Sequence, residues 1–379
     1  MSIVMFNREL IGRIPSSPAF LLDETRVLSN LAPLRSLKQA SGCKVLYAMK
    51  ALPLSTLLEF IQPHMDGFAV SSLFEAKLAQ QITGSSEIHL TTPGLRPEEF
   101  TELGRLCSHI SFNSLSQLQR LHKPGSAYSP GLRINPKRSF LADSRFDPCG
   151  PHSKLGVDIN ELRSHWPAGM QGLHLHTLFA AQSFQPLVET IDSLLPLLKR
   201  LGRLTWLNLG GGYLYHSIAE QGELIKLIRH LLDKYVGQVL IEPGKAVVGN
   251  AGYLLCTVLD RFVSDGKPVL ILDTSVNHHP EVFEYQRKPA LYGGEPEQGE
   301  SALLAGSTCL AGDVFGAYRF AVLPEVGDRL LFSDVGAYSL IKANRFNGYN
   351  LPDIYRIQAG QAYLVKQYSY VDFQRQWLA

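Results

Sequence analysis

Charge of one sign is what this chain most lacks. Against 36 lysines and arginines stand 34 acids, a net charge of +2. So even a balance points neither to a nucleic-acid polymer nor to a membrane surface. Nor is there an apolar run of about 18 residues, so no membrane-spanning helix is expected. Cysteine is scarce: five thiols, Cys43, Cys107, Cys149, Cys256 and Cys309, with no pair at CxxC spacing. That argues against a disulfide framework and against a zinc or other metal site, and fits a reducing cytoplasm. The N-terminus carries Asn7, Arg8 and Glu9 where a signal peptide would need an apolar core. No internal repeat of about 20–50 residues and no low-complexity segment interrupts the chain.

What is present is an ordinary globular composition, 45% hydrophobic and 18% charged, over 379 residues. That length suffices for about two domains. Between residues 44 and 248, short β-rich runs alternate with helix-like segments. The runs are 44–51, 66–71, 87–92, 109–113, 131–135, 172–177, 204–209 and 238–242. Eight strands with intervening helices predict an α/β fold, a TIM-like (β/α)8 barrel over residues 24–249. Functional residues should gather at the C-terminal ends of its strands. From residue 250 the pattern changes: 252–263, 268–274, 328–333 and 354–365 read as strands without long helices between them. They predict a second, mostly β C-terminal domain. The early run 19–22 is expected to join it, so that 1–23 and 250–379 form one β-rich unit. The segment 293–300 is the clearest loop.

Six motifs carry candidate chemistry. Tyr47-Ala48-Met49-Lys50-Ala51 ends the first strand; an amine at that barrel mouth either is solvated or forms a Schiff base with an aldehyde cofactor. Asn208-Leu209-Gly210-Gly211-Gly212-Tyr213 ends the seventh, where three glycines form either a tight turn or a cradle of N–H groups for a phosphate. Glu242-Pro243-Gly244 ends the eighth; its carboxylate can keep a pyridine ring protonated, or simply precede a turn. On the sixth, alternation puts His174 and His176 on one side, and one of them can stack on a cofactor ring. No third ligand joins the pair at metal spacing. In the β-domain, Cys309 lies close to Asp313; a thiol there can protonate a carbanion or be a small buried hydrophobe. The hydroxyl of Tyr338 can hold phosphate, or the ring can merely pack. Ser72 and Glu75 read as a helix-capping box. His278 and His279 are expected at the surface or the substrate rim, and Lys154 is structural.

Together these residues resemble the alanine-racemase-like (fold type III) pyridoxal-phosphate enzymes, in their basic amino-acid decarboxylase branch, and within it the carboxynorspermidine/carboxyspermidine decarboxylases. The resemblance covers nearly the whole chain in the family's order. It implies Lys50 as the Schiff-base lysine, His176 as the ring-stacking histidine, Gly210, Gly211, Gly212 and Tyr338 at the phosphate, and Glu242 at the ring nitrogen. It implies Cys309 as proton donor and Asp313 as a substrate-facing acid, both supplied by the neighbouring subunit of a homodimer. The supporting stretches are 172–177, Asp273-Thr274-Ser275, 309–313 and Phe346-Asn347-Gly348.

The chain departs from the family where Phe179-Ala180 replaces a usual Cys-Glu, and where Arg345 replaces an apolar residue. Both changes favour an anionic tail near the substrate. The chemistry expected is therefore loss of an α-carboxylate from a small-molecule amino acid, with His279, Asp313 and Arg345 as substrate-side candidates. A rival substrate is a 3-amino-3-carboxypropyl group on a nucleotide or peptide, as in microcin C maturation. Rival classes are an amino-acid racemase, opposed by Glu242 and Cys309, and a non-catalytic cofactor carrier, opposed by the β-domain.

Overall fold

The computed structural model describes Phe6 and residues 8–84, 87–164 and 166–378. Residues 1–5 and 7, part of the segment expected to join the β-domain, lie outside the described residues. The chain divides into two compact units: Asn30–Ala246, and Met1–Ser29 with Val247–Ala379.

In the first unit eight parallel strands close into a barrel. They are Lys44–Ala48, Gly67–Val70, Glu87–Thr91, His109–Phe112, Ser129–Asn135, Gly172–His174, Leu204–Asn208 and Val236–Ile241. Each pairs with the next, and the last returns to the first through Leu240 and Lys44. The expected barrel is there, with strand ends shifted by up to a few residues. Helices between the strands bury one stripe each. In Gln185–Leu201 the stripe is Leu187, Ile191, Leu194 and Leu198, the spacing of an amphipathic helix.

Trp206 fills the space between the strands. It is fully buried and packs with Leu46, Ala48, Ala69 and Leu240, and its Nε1–H donates to Ser129 Oγ at 2.8 Å. A Cβ at Gly131 would lie 2.4 Å from the indole and one at Gly172 2.0 Å from it. Only glycine lets two neighbouring strands accept so large a ring, because interiors are close-packed.

The second unit is built on one sheet. The long strand Gly252–Ser264 pairs antiparallel with Ala19–Asp23, Lys267–Leu272 and Arg329–Phe332. The sheet continues on one side through Glu300–Ala305 and Val314–Phe320, and on the other through Asp353–Gln358 and Gln361–Lys366. Its core includes Leu21, Tyr253, Leu255, Leu331, Tyr355 and Ile357.

Two features differ from the sequence reading. Glu300–Ala305 and Val314–Phe320 are strands that no expectation covered. The run 354–365 is a hairpin rather than one strand, turning at Ala359 (φ 49°) and Gly360 (φ 76°). Two successive positive φ values suit the right-handed twist of a tight hairpin, but an alanine in the first position hides the turn. Among the described residues, no helix is long and apolar enough to cross a membrane.

Candidate active site

The barrel strands deliver their terminal residues to one cavity of about 320 Å³, lined by Lys50, Arg133, His174, His176 and Glu242 among others. Lys50 is not on a strand. The ladder stops at Ala48, and Lys50 sits in a single 3-10 turn, Met49–Ala51. Its accessible surface opens onto the cavity, yet protein surrounds it. That burial lowers the ammonium pKa; Glu242 and Glu75 pull it back up, and Arg133 lowers it further.

Glu242 follows Val236–Ile241 and is 7% exposed. Its Oε1 accepts Asn208 Nδ2–H at 2.6 Å, and its Oε2 lies 3.6 Å from His174 Nε2. Burial opposes its charge, but His174, above all, and Lys50 pull the other way and hold the carboxyl well below the usual range. Glu242 is therefore ionised.

The two histidines both line the cavity, although strand Gly172–His174 ends before His176. The chain leaves the ladder where Gly210 packs beneath it: a Cβ there would sit 2.1 Å from the Leu175 carbonyl oxygen. His176 Nδ1 accepts the Gly211 N–H at 3.2 Å. Burial, with Lys50 and Arg133 nearby, pushes its pKa well below the ordinary value, so the ring is neutral. Burial also lowers the pKa of His174, with Glu242 opposing.

The three glycines serve the backbone first. A Cβ on Gly210, Gly211 or Gly212 would meet the carbonyl oxygens of Leu175, Glu242 or Leu178 at 2.1, 2.3 and 2.2 Å. The N–H of Gly210 donates to Asn208 Oδ1 at 2.8 Å and that of Gly211 to His176. Two of the three amides of the expected phosphate cradle are thus engaged inside the protein.

Sequence reasoning passed over four residues here. Arg133 lies two residues before the end of its strand, buried in the cavity wall, its pKa brought down to about 10 by burial against the pull of Glu242 and Cys149. His89 and Asn208 are fully buried beside Glu242. Glu75 was assigned to capping alone. Ser72 does cap the helix, but the Glu75 carboxylate accepts the Ser71 N–H at 2.7 Å and also acts on Lys50. The only signal for them was position: all but Glu75 are at or near the C-terminal half of a barrel strand.

In the other unit, Cys309 is exposed. Asp313 is 2% exposed; it accepts Val276 N–H at 2.8 Å, Thr308 N–H at 3.1 Å and Thr308 Oγ–H at 2.5 Å, and so ties the loop that carries Cys309. His278 and His279 are buried, at 2% and 5% exposure, which corrects the surface expectation. Each is drawn in by a hydroxyl: Thr274 Oγ1 lies 3.0 Å from His278 Nδ1 and Ser339 Oγ 2.7 Å from His279 Nδ1. Tyr338 has a left-handed backbone, φ 61°, and burial raises its phenol pKa. Arg345 stacks on Tyr368, 5.3 Å from the ring centre, and reaches Gln376 Oε1 at 3.4 Å.

A cavity with a depressed-pKa amine, an ionised carboxylate and a neutral imidazole fits pyridoxal phosphate by the chemistry of its donors. The family model for pyridoxal-dependent decarboxylase, C-terminal sheet domain, matches residues 46–336. The chain belongs to this family. The enzyme is 32% identical to the carboxynorspermidine/carboxyspermidine decarboxylase of Campylobacter jejuni, over 94% of this chain and 97% of that protein. It is 34% identical to the carboxyaminopropylagmatine decarboxylase of Synechocystis, over 94% of each. Among solved structures it is similar to carboxynorspermidine decarboxylase complexed with norspermidine from Campylobacter jejuni, with a TM-score of 0.83 and 30% identity, over 95% of this chain and all of that one. The enzyme is thus a pyridoxal-phosphate-dependent decarboxylase. These relatives do not favour the nucleotide-tail, racemase or carrier readings.

Proposed function

We propose that the enzyme removes the α-carboxylate of an amino acid carried on a cationic, polyamine-like tail, of the carboxynorspermidine, carboxyspermidine or carboxyaminopropylagmatine type. The observation that carries this is end-to-end similarity to decarboxylases of such compounds, joined to a cavity that holds Lys50, Glu242 and His176 together. Arg345, which would suit an anionic tail, is instead engaged by Tyr368 and Gln376 within its own unit.

Pyridoxal phosphate, when bound, supplies the electron sink for the pair left when carbon dioxide departs. Lys50 holds it through its amine, which burial keeps readier to act than a free lysine. Glu242 would keep the ring nitrogen protonated, and His176 would cover the ring face. Gly212 and Tyr338 would hold the phosphate, with Gly210 and Gly211 shaping the turn. Once carbon dioxide has left, Cys309 Sγ–H would deliver a proton to the carbon that lost it. Asp313 keeps the Cys309 loop in place for the substrate, with His279 anchoring the neighbouring turn. We further propose a homodimer in which the Cys309 loop serves the Lys50 cavity of the partner chain, and a cytoplasmic location, which suits five unpaired cysteines.

The test is a screen of carbon dioxide release from carboxynorspermidine, carboxyspermidine, carboxyaminopropylagmatine, meso-diaminopimelate, lysine, ornithine and a carboxyaminopropylated nucleotide. One or more of the first three should exceed the others in kcat/KM. Preference for the nucleotide, or for lysine or ornithine, would overturn the substrate assignment.

A further inference from the structure

Glu242 does not stand alone at the base of the cavity. Asn208, the last residue of its strand and fully buried, places Nδ2 at 2.6 Å from Glu242 Oε1 and 3.0 Å from His89 Nδ1. Its Oδ1 accepts the Gly210 N–H at 2.8 Å. On the far side of the imidazole, His89 Nε2 lies 2.7 Å from Ser111 Oγ. All four side chains are at most 7% exposed, so each depends on its neighbours within the protein for hydrogen bonds.

The proton positions follow from the partners. An ionised carboxylate only accepts and a backbone N–H only donates. The amide of Asn208 must therefore turn its two N–H bonds to Glu242 and His89 and its oxygen to Gly210. His89 Nδ1 must then accept, which puts the ring proton on Nε2, facing Ser111. Burial also pushes His89 well below the ordinary histidine pKa, in keeping with a neutral ring. A reversed amide would set Oδ1 against the carboxylate and N–H against N–H at Gly210.

We propose that Asn208 is the positioning residue of Glu242, and that His89 and Ser111 lock the Asn208 amide in the one orientation that can do this. The proposal rests on the role given above to Glu242. With Oε1 engaged by Asn208, Oε2 is the oxygen left for the ring nitrogen; at 3.6 Å from His174 it has no close bond of its own. A donated hydrogen bond also makes a carboxylate a weaker base, so a shared proton stays on the ring rather than passing to Glu242. Asn208 thus fixes both the direction of the carboxylate and the side of the pair that keeps the proton.

A purely structural Asn208, present to hold the Gly210 turn, needs only its oxygen, which aspartate also has. The experiment compares the holoenzymes of N208D, N208A, S111A and E242Q with wild type. The readouts are kcat and KM, the pH dependence of the cofactor's visible absorption, and the cofactor affinity of the apoprotein. We expect N208A and N208D each to lose about 10- to 100-fold in kcat with KM within about twofold, the size typical of lost supporting contacts. Both should shift the pH midpoint of the absorption. S111A should move the same quantities the same way, by less than about 10-fold.

Wild-type kcat and pH profile in N208D, with E242Q impaired, would overturn the positioning role. Wild-type behaviour of E242Q would instead overturn the role of Glu242 itself. Should the Asn208 variants fail to fold, S111A decides: it loses one hydroxyl, and an unchanged absorption profile there would overturn the lock.

Discussion

The side chain of Asn347 holds Cys309 at two points: its Oδ1 accepts the Cys309 backbone N–H at 3.1 Å and the Sγ–H at 3.2 Å. Asn347 does so from a left-handed backbone, φ 57° and ψ 15°, which asparagine tolerates better than most residues. The loop after Gly306 and the Phe346-Asn347-Gly348 turn are therefore one device that presents a thiol. Cys309→Ala should leave folding and cofactor content intact but misdirect the final proton. The amine product should fall and a carbonyl product should accumulate, read as a product ratio by mass spectrometry. Asn347→Ala should give a milder form of the same shift, about 10-fold in kcat. Clean amine formation at the wild-type rate in Cys309→Ala would remove the thiol from the mechanism.

Lys50 carries the next expectation. Borohydride reduction of the yellow holoenzyme, followed by peptide mapping, should find the cofactor on Lys50 and not on Lys154 or Lys245. Because burial lowers its pKa from 10.5, the rate of cofactor uptake by the apoprotein should rise with pH and level off below 10.5. Glu75 is one of the charges that raise this pKa. Glu75→Gln should therefore move the levelling-off to lower pH; a move to higher pH, or none, would contradict the geometry.

Sharing of the site between subunits has a direct test. Lys50→Ala lacks one half of the proposed machinery and Cys309→Ala the other. Mixed after confirmed subunit exchange, they should regain activity that neither has alone. No recovery would mean that each chain completes its own site.

The barrel was legible because eight β-rich runs and their spacing are a backbone pattern repeated along the chain, and Lys50, His176 and Glu242 stood out at strand ends. Asn208, His89 and Arg133 were not legible, because a polar residue in a strand reads the same whether it faces solvent, a helix or a buried carboxylate. His278 and His279 were misjudged for a related reason: a loop histidine looks solvated until Thr274 and Ser339 are seen to receive it. The hairpin at Ala359-Gly360 was missed because one of its two left-handed residues is not glycine.

The glycine turn separates two functions by measurement. Gly210 has φ 68°, and an added Cβ would lie 2.1 Å from the Leu175 oxygen, a backbone atom that cannot rotate away. Left-handed strain and overpacking together should cost about 2–5 kcal/mol in Gly210→Ala, seen as a lower urea midpoint of the apoprotein. A variant with wild-type stability but weak cofactor binding would instead make Gly210 a phosphate contact.

His278 should give the fold an acid-sensitive step. It is buried, its Nδ1 lies 3.0 Å from Thr274 Oγ1, and its Nε2 has no partner among the described residues. Burial lowers its pKa to about 4, with Asp313 pulling the other way. In the unfolded chain the ring takes its proton near pH 6.5, but in the folded chain it resists until about pH 4. Between those values the unfolded state binds more protons, so stability falls as pH falls. The stabilisation is complete above pH 6.5 and is lost progressively down to about pH 4, by about 3 kcal/mol at most. Urea midpoints measured across this window should decline for the wild type. His278→Gln keeps a polar side chain that cannot titrate, and its midpoints should decline less over the same range. An equal decline in both proteins would assign the acid sensitivity to other groups.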